Sequence, residues 1–221
     1  MMRVHAHAQP PAADLLERAR RVAPATIGHL REIGFADSGL VPLVTPVSVV
    51  GPALTVRMVS PDGGAVHMAI DAAQPGDVLV IDTGGDLSHA CWGDGTTLAA
   101  QTRGIAAVII DGVATDVQDI RRLGFPVFCR GLSVLTVKAA YNDGEVNGVV
   151  TCGGATVSPG DIVMADDNGI VIIPPAEMPA LLTAAEQFEE HEVRIRARIS
   201  AGESLVDIVR AMAREHQGGN R

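Results

Sequence analysis

Two carboxylates and a hydroxyl stand close together in AAVIIDGVATDVQDI, residues 106–120. Asp111 and Asp116 flank Gly112 and Thr115 where an apolar run gives way to a helical pattern. One reading of such residues is a turn at Asp111-Gly112 followed by a helix cap. Thr115-Asp116-Val117-Gln118 fits a capping box, in which the Thr hydroxyl takes the N3 amide and Gln118 reaches back. The other reading is divalent-metal binding, because a carboxylate at the carboxyl end of a strand lies where open α/β sheets take their ligands. The cap accounts for Thr115 and Gln118. It leaves Asp116 with only a favourable charge in the first helical turn.

The second set is the loop GGDLSHACWGDG, residues 84–95. Its glycines allow backbone N–H groups to turn toward an anion, and a helix starting near Thr96 adds its positive end. No Gly-Lys-Ser/Thr follows, so it is not a P-loop, and no dinucleotide fingerprint is present. Trp92, the only tryptophan, reads equally well as a core anchor.

The elements that must hold these residues follow from hydrophobic periodicity. Residues 14–22 and 25–34 are helical patterns, residues 53–60 alternate as a strand, and 65–74 carry a helical apolar stripe. PGDVLVID (75–82) is a strand, residues 96–104 a helix closed by Gly104, AAVIIDG the next strand, TDVQDIRRLG a helix and FPVFCRG a strand. This alternation predicts right-handed crossovers in an α/β layer. Residues 146–174 hold short apolar runs separated by turn residues, with Asp167-Asn168-Gly169 a strong hairpin signal. From Glu177 the chain reads as one long charged helix to Gly202, then a short helix after Ser204. The long helix has too few apolar residues to sit wholly on its own core, which suggests packing on a neighbouring subunit. The expected organisation is a flexible tail at 1–13, an α/β domain at 14–176 and a helical arm at 177–215.

Apolar residues make up 47 % of the chain and charged residues 19 %, the balance of a globular protein. The formal net charge of −9 argues against a phosphate-binding footprint and hence against nucleic-acid partners. No apolar run reaches the length of a membrane span. Cys91, Cys129 and Cys152 form no CxxC pair, as expected of reduced thiols in a cytoplasmic protein.

Taken in order, GDVLVIDTGG, ACWGDG, RGIAAVIIDGVATD, FPVFCRG and PGDIVMADDNGIVIIP resemble the 4-hydroxy-4-methyl-2-oxoglutarate aldolase and RraA-like family over residues 24–205. The resemblance implies an α/β sandwich similar to swivelling phosphohistidine domains, assembled as trimers or hexamers. Some members release pyruvate from 4-hydroxy-4-methyl-2-oxoglutarate or 4-carboxy-4-hydroxy-2-oxoadipate and decarboxylate oxaloacetate; others regulate ribonuclease E. It implies that Asp116 holds Mg²⁺ or Mn²⁺, largely through waters. It also implies that Trp92, Gly93, Asp94 and Gly95 receive the pyruvyl carboxylate, and that Glu192 reaches a neighbouring subunit's site as a catalytic residue.

One departure stands out. Aldolases of this family read Gly-x-x-Arg-Asp where this chain has Gly112-Val113-Ala114-Thr115-Asp116. A threonine at this substrate-binding position supplies neither the charge nor the bidentate fork of an arginine. His29, His89, Arg130 and Lys138 are the candidates to replace that charge. Two functions are therefore expected: a metal-dependent lyase acting on keto acids, or a non-catalytic regulator on the same fold.

Overall fold

The structure, a computed structural model, describes residues 1–59 and 61–218, with side chains as far as residue 211. At its centre is β3 (Ser48–Arg57), a strand twice the length of its neighbours and buried along eight consecutive residues. Its first half pairs antiparallel with β10 (Ile162–Asp166), from Asp166↔Ser48 to Ile162↔Pro52. Its second half pairs parallel with β4 (Val78–Asp82), from Ala53↔Val78 to Arg57↔Asp82. One strand thus belongs to both β layers. Strand 53–60 of the sequence reading begins five residues earlier than expected, and Ser60 lies outside the described residues.

Beyond β2 (Val41–Pro42), which pairs antiparallel on the outer edge of β6 (Val127–Leu132), the pairing is parallel from β4 to β5 (Ala107–Ala114) and on to β6. The parallel strands read as nearly unbroken Val/Ile runs because both faces of the sheet are covered. On one face lie α3 (Gly64–Ala72), α4 (Asp94–Thr102) and α5 (Val117–Leu123), packed over Leu54, Leu79, Val108 and Trp92. On the other, Val78, Val80, Ile109 and Phe128 meet the hairpin of β8 (Val150–Cys152) and β9 (Ala155–Val157), together with Val163 and Ile172. β10 turns into β11 (Gly169–Ile173) through Asp167-Asn168, as the sequence predicts. α1 (Ala13–Ala19) and α2 (Pro24–Gly28) cover that hairpin from outside. The result is the layered α/β sandwich expected. Among the described residues no helix is long and apolar enough to cross a membrane.

The N-terminus departs from the sequence reading, whereas the C-terminal arm sits only partly on its own core, as that reading expects. Residues 1–13, expected as a flexible tail, are docked: β1 (Arg3–Val4) pairs parallel with β7 (Glu145–Val146). His7 reaches the buried Asp77 at 2.7 Å and the Ala8 carbonyl at 2.8 Å. Two acceptors on one imidazole favour its protonated form; burial opposes this, yet the His7 pKa is raised. The sequence signal was weak because the tail is held by edge pairing and two histidines rather than by an apolar stripe. At the other end, α6 (Met178–Ser200) buries Met178, Leu182 and Ala185 on its own domain, after which Val193 and Ile199 are exposed. α7 (Leu205–Gly218) tucks Ile208 in and leaves Leu205, Val206 and Val209 outside.

The loop following β6 is closed by one carboxylate. Asp62 accepts N–H bonds from Gly64 (2.9 Å), Ala140 (3.0 Å), Tyr141 (3.1 Å) and Asn142 (2.7 Å). Desolvation works to raise its pKa, but the four amides together bring it down to about 2. A depressed carboxylate stabilises the fold above its unfolded pKa and loses that contribution as pH falls through the folded value. Asp62→Ala should therefore cost about 1–3 kcal/mol in urea unfolding at neutral pH. That gap should close between about pH 4 and about pH 2. A gap that stays constant across this range would show that the charge of Asp62 is not what holds the loop.

Candidate active site

Asp116 reaches its place through an irregular strand. The register of β5 against β6 shifts between Ile110 and Val113, and pairing resumes at Val113↔Gly131 and Ala114↔Leu132. Asp111-Gly112 is therefore a bulge inside β5 and not the expected turn at its end. A Cβ at Gly112 would lie 2.6 Å from the Thr83 methyl, so the neighbouring chain can approach there only because the residue is glycine. Beyond the bulge, the Thr115 N–H still donates to the Trp92 carbonyl at 2.8 Å. The helix then starts one residue later than predicted, with Asp116 as N-cap at φ 52° and no side-chain capping bond. The capping box expected of Thr115 and Gln118 does not form, because the Thr115 amide is tied to the Trp92 carbonyl and the chain turns into the helix only at Asp116.

That left-handed backbone turns the exposed Asp116 side chain onto the 84–95 loop. Its Oδ2 accepts from the Asp94 N–H at 3.2 Å. A Cβ on Gly93 would stand 2.4 Å from the same oxygen and 3.0 Å from the Thr115 methyl. Gly93 is thus the floor on which Asp116 and Thr115 rest. Below it the frame is rigid: the Trp92 indole donates to the Thr97 hydroxyl (2.8 Å), which donates to the Gly93 carbonyl (2.7 Å). The Trp92 ring is fully buried and stacked on Phe125 with centroids 6.2 Å apart, so only its backbone faces the site.

The loop amides already have partners. Gly93 N–H goes to the Thr96 hydroxyl (2.9 Å), Asp94 N–H to Asp116 and Gly95 N–H to Asp94 Oδ1 (2.6 Å). A ligand carboxylate seated at the start of α4 would displace carboxylates of the protein itself. The structure thus brings together Trp92, Gly93, Asp94, Gly95, Thr115 and Asp116. Glu192 lies elsewhere in the same chain, in a groove between α2 and α6 lined by Thr26, His29, Phe188 and Glu189, and pairs with Arg196 at 3.6 Å.

Asp111 and the candidate cations have other duties. Asp111 accepts from Arg130 Nε through Oδ1 and from the Gly153 N–H (2.7 Å) through Oδ2, joining β5, β6 and the β8–β9 hairpin. Arg130 also pairs with Asp37 at 3.2 Å, and these hydrogen bonds raise its pKa. It is committed to two carboxylates away from Asp116. His29 stacks on Phe188 with ring centroids 4.7 Å apart, and the exposed Lys138 belongs to the loop that Asp62 closes. His89 sits in the site loop and bonds through Nδ1 to Asp86 at 2.8 Å. The Asp86-x-x-His89 spacing was the sequence signal for that pair, and only the folded loop joins it.

No group of three or more His, Cys, Asp or Glu side chains able to enclose a metal occurs among the described residues. At the centre of the site stand two exposed carboxylates, Asp116 and Asp94. What fits is a hard cation that keeps several waters and binds through one or two carboxylates plus substrate oxygens. Asp116, with Asp94 adjacent, is where it would be held. The three cysteines are free and buried, and desolvation pushes Cys91 up to about 12.

Comparison with known proteins agrees with this architecture. The RraA-like family model, described as aldolase/RraA, matches residues 13–172. A Halalkalibacterium halodurans protein named "Putative 4-hydroxy-4-methyl-2-oxoglutarate aldolase" is 38 % identical over 161 residues, covering 72 % of this chain and 76 % of that one. A crystal structure from Pseudomonas syringae pv. tomato superposes with TM-score 0.77 at 28 % identity, covering 90 % of this chain and 94 % of that one. Streptomyces coelicolor RraAS2, described as an unusual member of the RNase ES inhibitor RraA family, gives 0.76 at 29 % identity over 85 % and 99 %. With the family match spanning most of the chain and the fold shared over 85–90 % of it, this protein belongs to the RraA-like family.

Proposed function

We propose that the protein is a divalent-metal-dependent carbon–carbon lyase of 2-keto acids. It would release pyruvate from a 4-hydroxy-2-keto acid such as 4-hydroxy-4-methyl-2-oxoglutarate, or decarboxylate oxaloacetate. The observation that carries this reading is the Asp116 carboxylate, exposed at a left-handed N-cap and pressed onto Gly93 and Asp94. The name of the Halalkalibacterium halodurans relative supports the same class. When bound, Mg²⁺ or Mn²⁺ supplies Lewis acidity to the carbonyl and carboxylate of the keto acid. The chain's own part is to orient the substrate. Asp116 and Asp94 would hold the cation, and the Trp92–Thr97 frame keeps the loop from yielding.

A second reading, a non-catalytic regulator, is favoured by one observation. Thr115 stands where a clamping arginine is expected, and Arg130 is tied to Asp111 and Asp37 instead. The likeness to RraAS2 supports it as well. Assembly is part of either reading. The exposed Val193, Ile199, Leu205, Val206 and Val209 of the arm would be covered by a neighbouring copy in a trimer or hexamer, bringing Glu192 to that copy's site. Light scattering should return a multiple of three chains; a stable monomer at micromolar concentration would remove Glu192 from the site.

Two substitutions test the site. Asp116→Asn keeps a residue that tolerates the left-handed backbone and can still accept the Asp94 amide. It should fold as wild type and lose metal-dependent pyruvate release on the order of 10²-fold or more. Activity that is unchanged in this variant, or insensitive to EDTA, would refute the metal assignment. Thr115→Arg removes no helix cap, so thermal stability should move by less than about 0.5 kcal/mol. Turnover of 4-hydroxy-4-methyl-2-oxoglutarate should rise, by roughly 10²–10³ if the restored contact acts only in the transition state. Wild-type turnover already as fast as the variant's would mean that Thr115 is no defect. No turnover by either protein would favour the regulator.

A further inference from the structure

We infer that His89 is the proton carrier of this site and that Asp86 is the residue that positions it; the inference rests on the lyase reading above. Asp86 grips the turn at three points. Its Oδ1 accepts the Ser88 N–H (2.7 Å) and the His89 N–H (3.1 Å), and its Oδ2 accepts the ring Nδ1–H (2.8 Å). A carboxylate on Nδ1 fixes the proton there and leaves Nε2 of the neutral ring as the acceptor. The two side chains are 32 % and 16 % exposed, so the ring is neither sealed in the core nor free in solvent.

The turn is also fastened to the end of β5. Ser133 donates its N–H to the Ala114 carbonyl at 2.9 Å and its hydroxyl to the Ser88 carbonyl at 2.6 Å, linking the residues next to Thr115 and to His89. Ala90 is held on both sides, giving its N–H to Leu135 (2.8 Å) and accepting from Val137 (3.1 Å). From His89 to Gly93 the chain spans at most about 13 Å even if fully extended. A keto acid held by a cation at Asp116, which touches Gly93 and Asp94, would therefore lie within that span of His89. Nothing else among the four candidate basic residues is fixed in this loop: His29, Arg130 and Lys138 belong to other elements.

The step balances without any further reactant. Nε2 takes the proton from the C4 hydroxyl, the C4–O bond becomes a carbonyl, and the C3–C4 bond breaks. Its electron pair passes to the C2 carbonyl oxygen as the enolate of pyruvate. After the second keto acid leaves, the imidazolium returns its proton to C3, giving pyruvate and neutral His89. Oxaloacetate loses CO₂ without any hydroxyl proton to remove, so its cleavage step does not need this base.

The test compares wild type, His89→Gln and Asp86→Asn with saturating Mg²⁺ in three reactions. These are cleavage of 4-hydroxy-4-methyl-2-oxoglutarate, C3 deuterium exchange of pyruvate in D₂O, and oxaloacetate decarboxylation. His89→Gln should lower kcat for cleavage and exchange by 10²–10⁴-fold, with KM changed only a few-fold, while decarboxylation falls by less than about tenfold. Asp86→Asn should give a smaller loss of kcat. In ¹⁵N NMR of the metal-free protein the same variant should replace the fixed Nδ1–H form of His89 by a tautomer mixture. A merely structural clamp predicts equal losses in all three reactions, and that outcome, or His89→Gln cleaving at the wild-type rate, overturns the proposal. A wild type inert toward every keto acid would overturn the lyase reading itself and this inference with it.

Discussion

The bulge in β5 is the constraint on which the site depends. Side chains alternate along a strand, so one extra residue sends everything beyond it to the opposite face. Here the irregularity between Ile110 and Val113 gives two aspartates of one strand end different fates. Asp111 turns toward Arg130 and Gly153 and ties β5 and β6 to the turn of the β8–β9 hairpin. The strand then runs on to Ala114, so that Thr115 meets Trp92 and Asp116 is delivered to the rim. Gly112 and Gly93 make this possible, because a Cβ at either would collide with the neighbouring segment.

The electrostatics of the rim follow from that arrangement. Asp94 and Asp116 meet at the start of α4, where the helix dipole favours negative charge and a backbone amide shares it. The nearest arginine of β6 is neutralised by Asp111 and Asp37, so it contributes structure rather than charge to the site. A rim with two carboxylates and, among the described residues, no free arginine is suited to holding a hard cation. It is poorly suited to clamping a bare anion, as a site with the family's arginine would be.

The edges of the molecule show a second economy. β7 would be an exposed edge, open to pairing with another chain, and the N-terminal segment covers it through β1. The C-terminal arm does the reverse. It uses its first turns to seal the β10–β11 layer and carries the rest of its apolar residues outward. A soluble helix tolerates scattered apolar residues, but a row of them from Val193 to Val209 is surface that association would bury.

The sequence by itself determined the run of strands β4, β5 and β6 with the helices between them, and the Asp167-Asn168 hairpin. Each is written locally, as apolar runs or turn residues. It did not determine the length of β3, the bulge at Asp111-Gly112 or the start of α5. Those depend on which neighbour a backbone N–H finds, and the Thr115 amide finds Trp92, more than twenty residues away. Thr115 therefore looked like a cap and is instead the residue just past β5 whose amide ties the chain to Trp92. The same holds for Arg130 and His89: both were plausible replacements for a missing charge while they were only letters. Tertiary structure separated them, because a charge acts through distance and partners, and Arg130 had found Asp111 where His89 had found Asp86 beside the site.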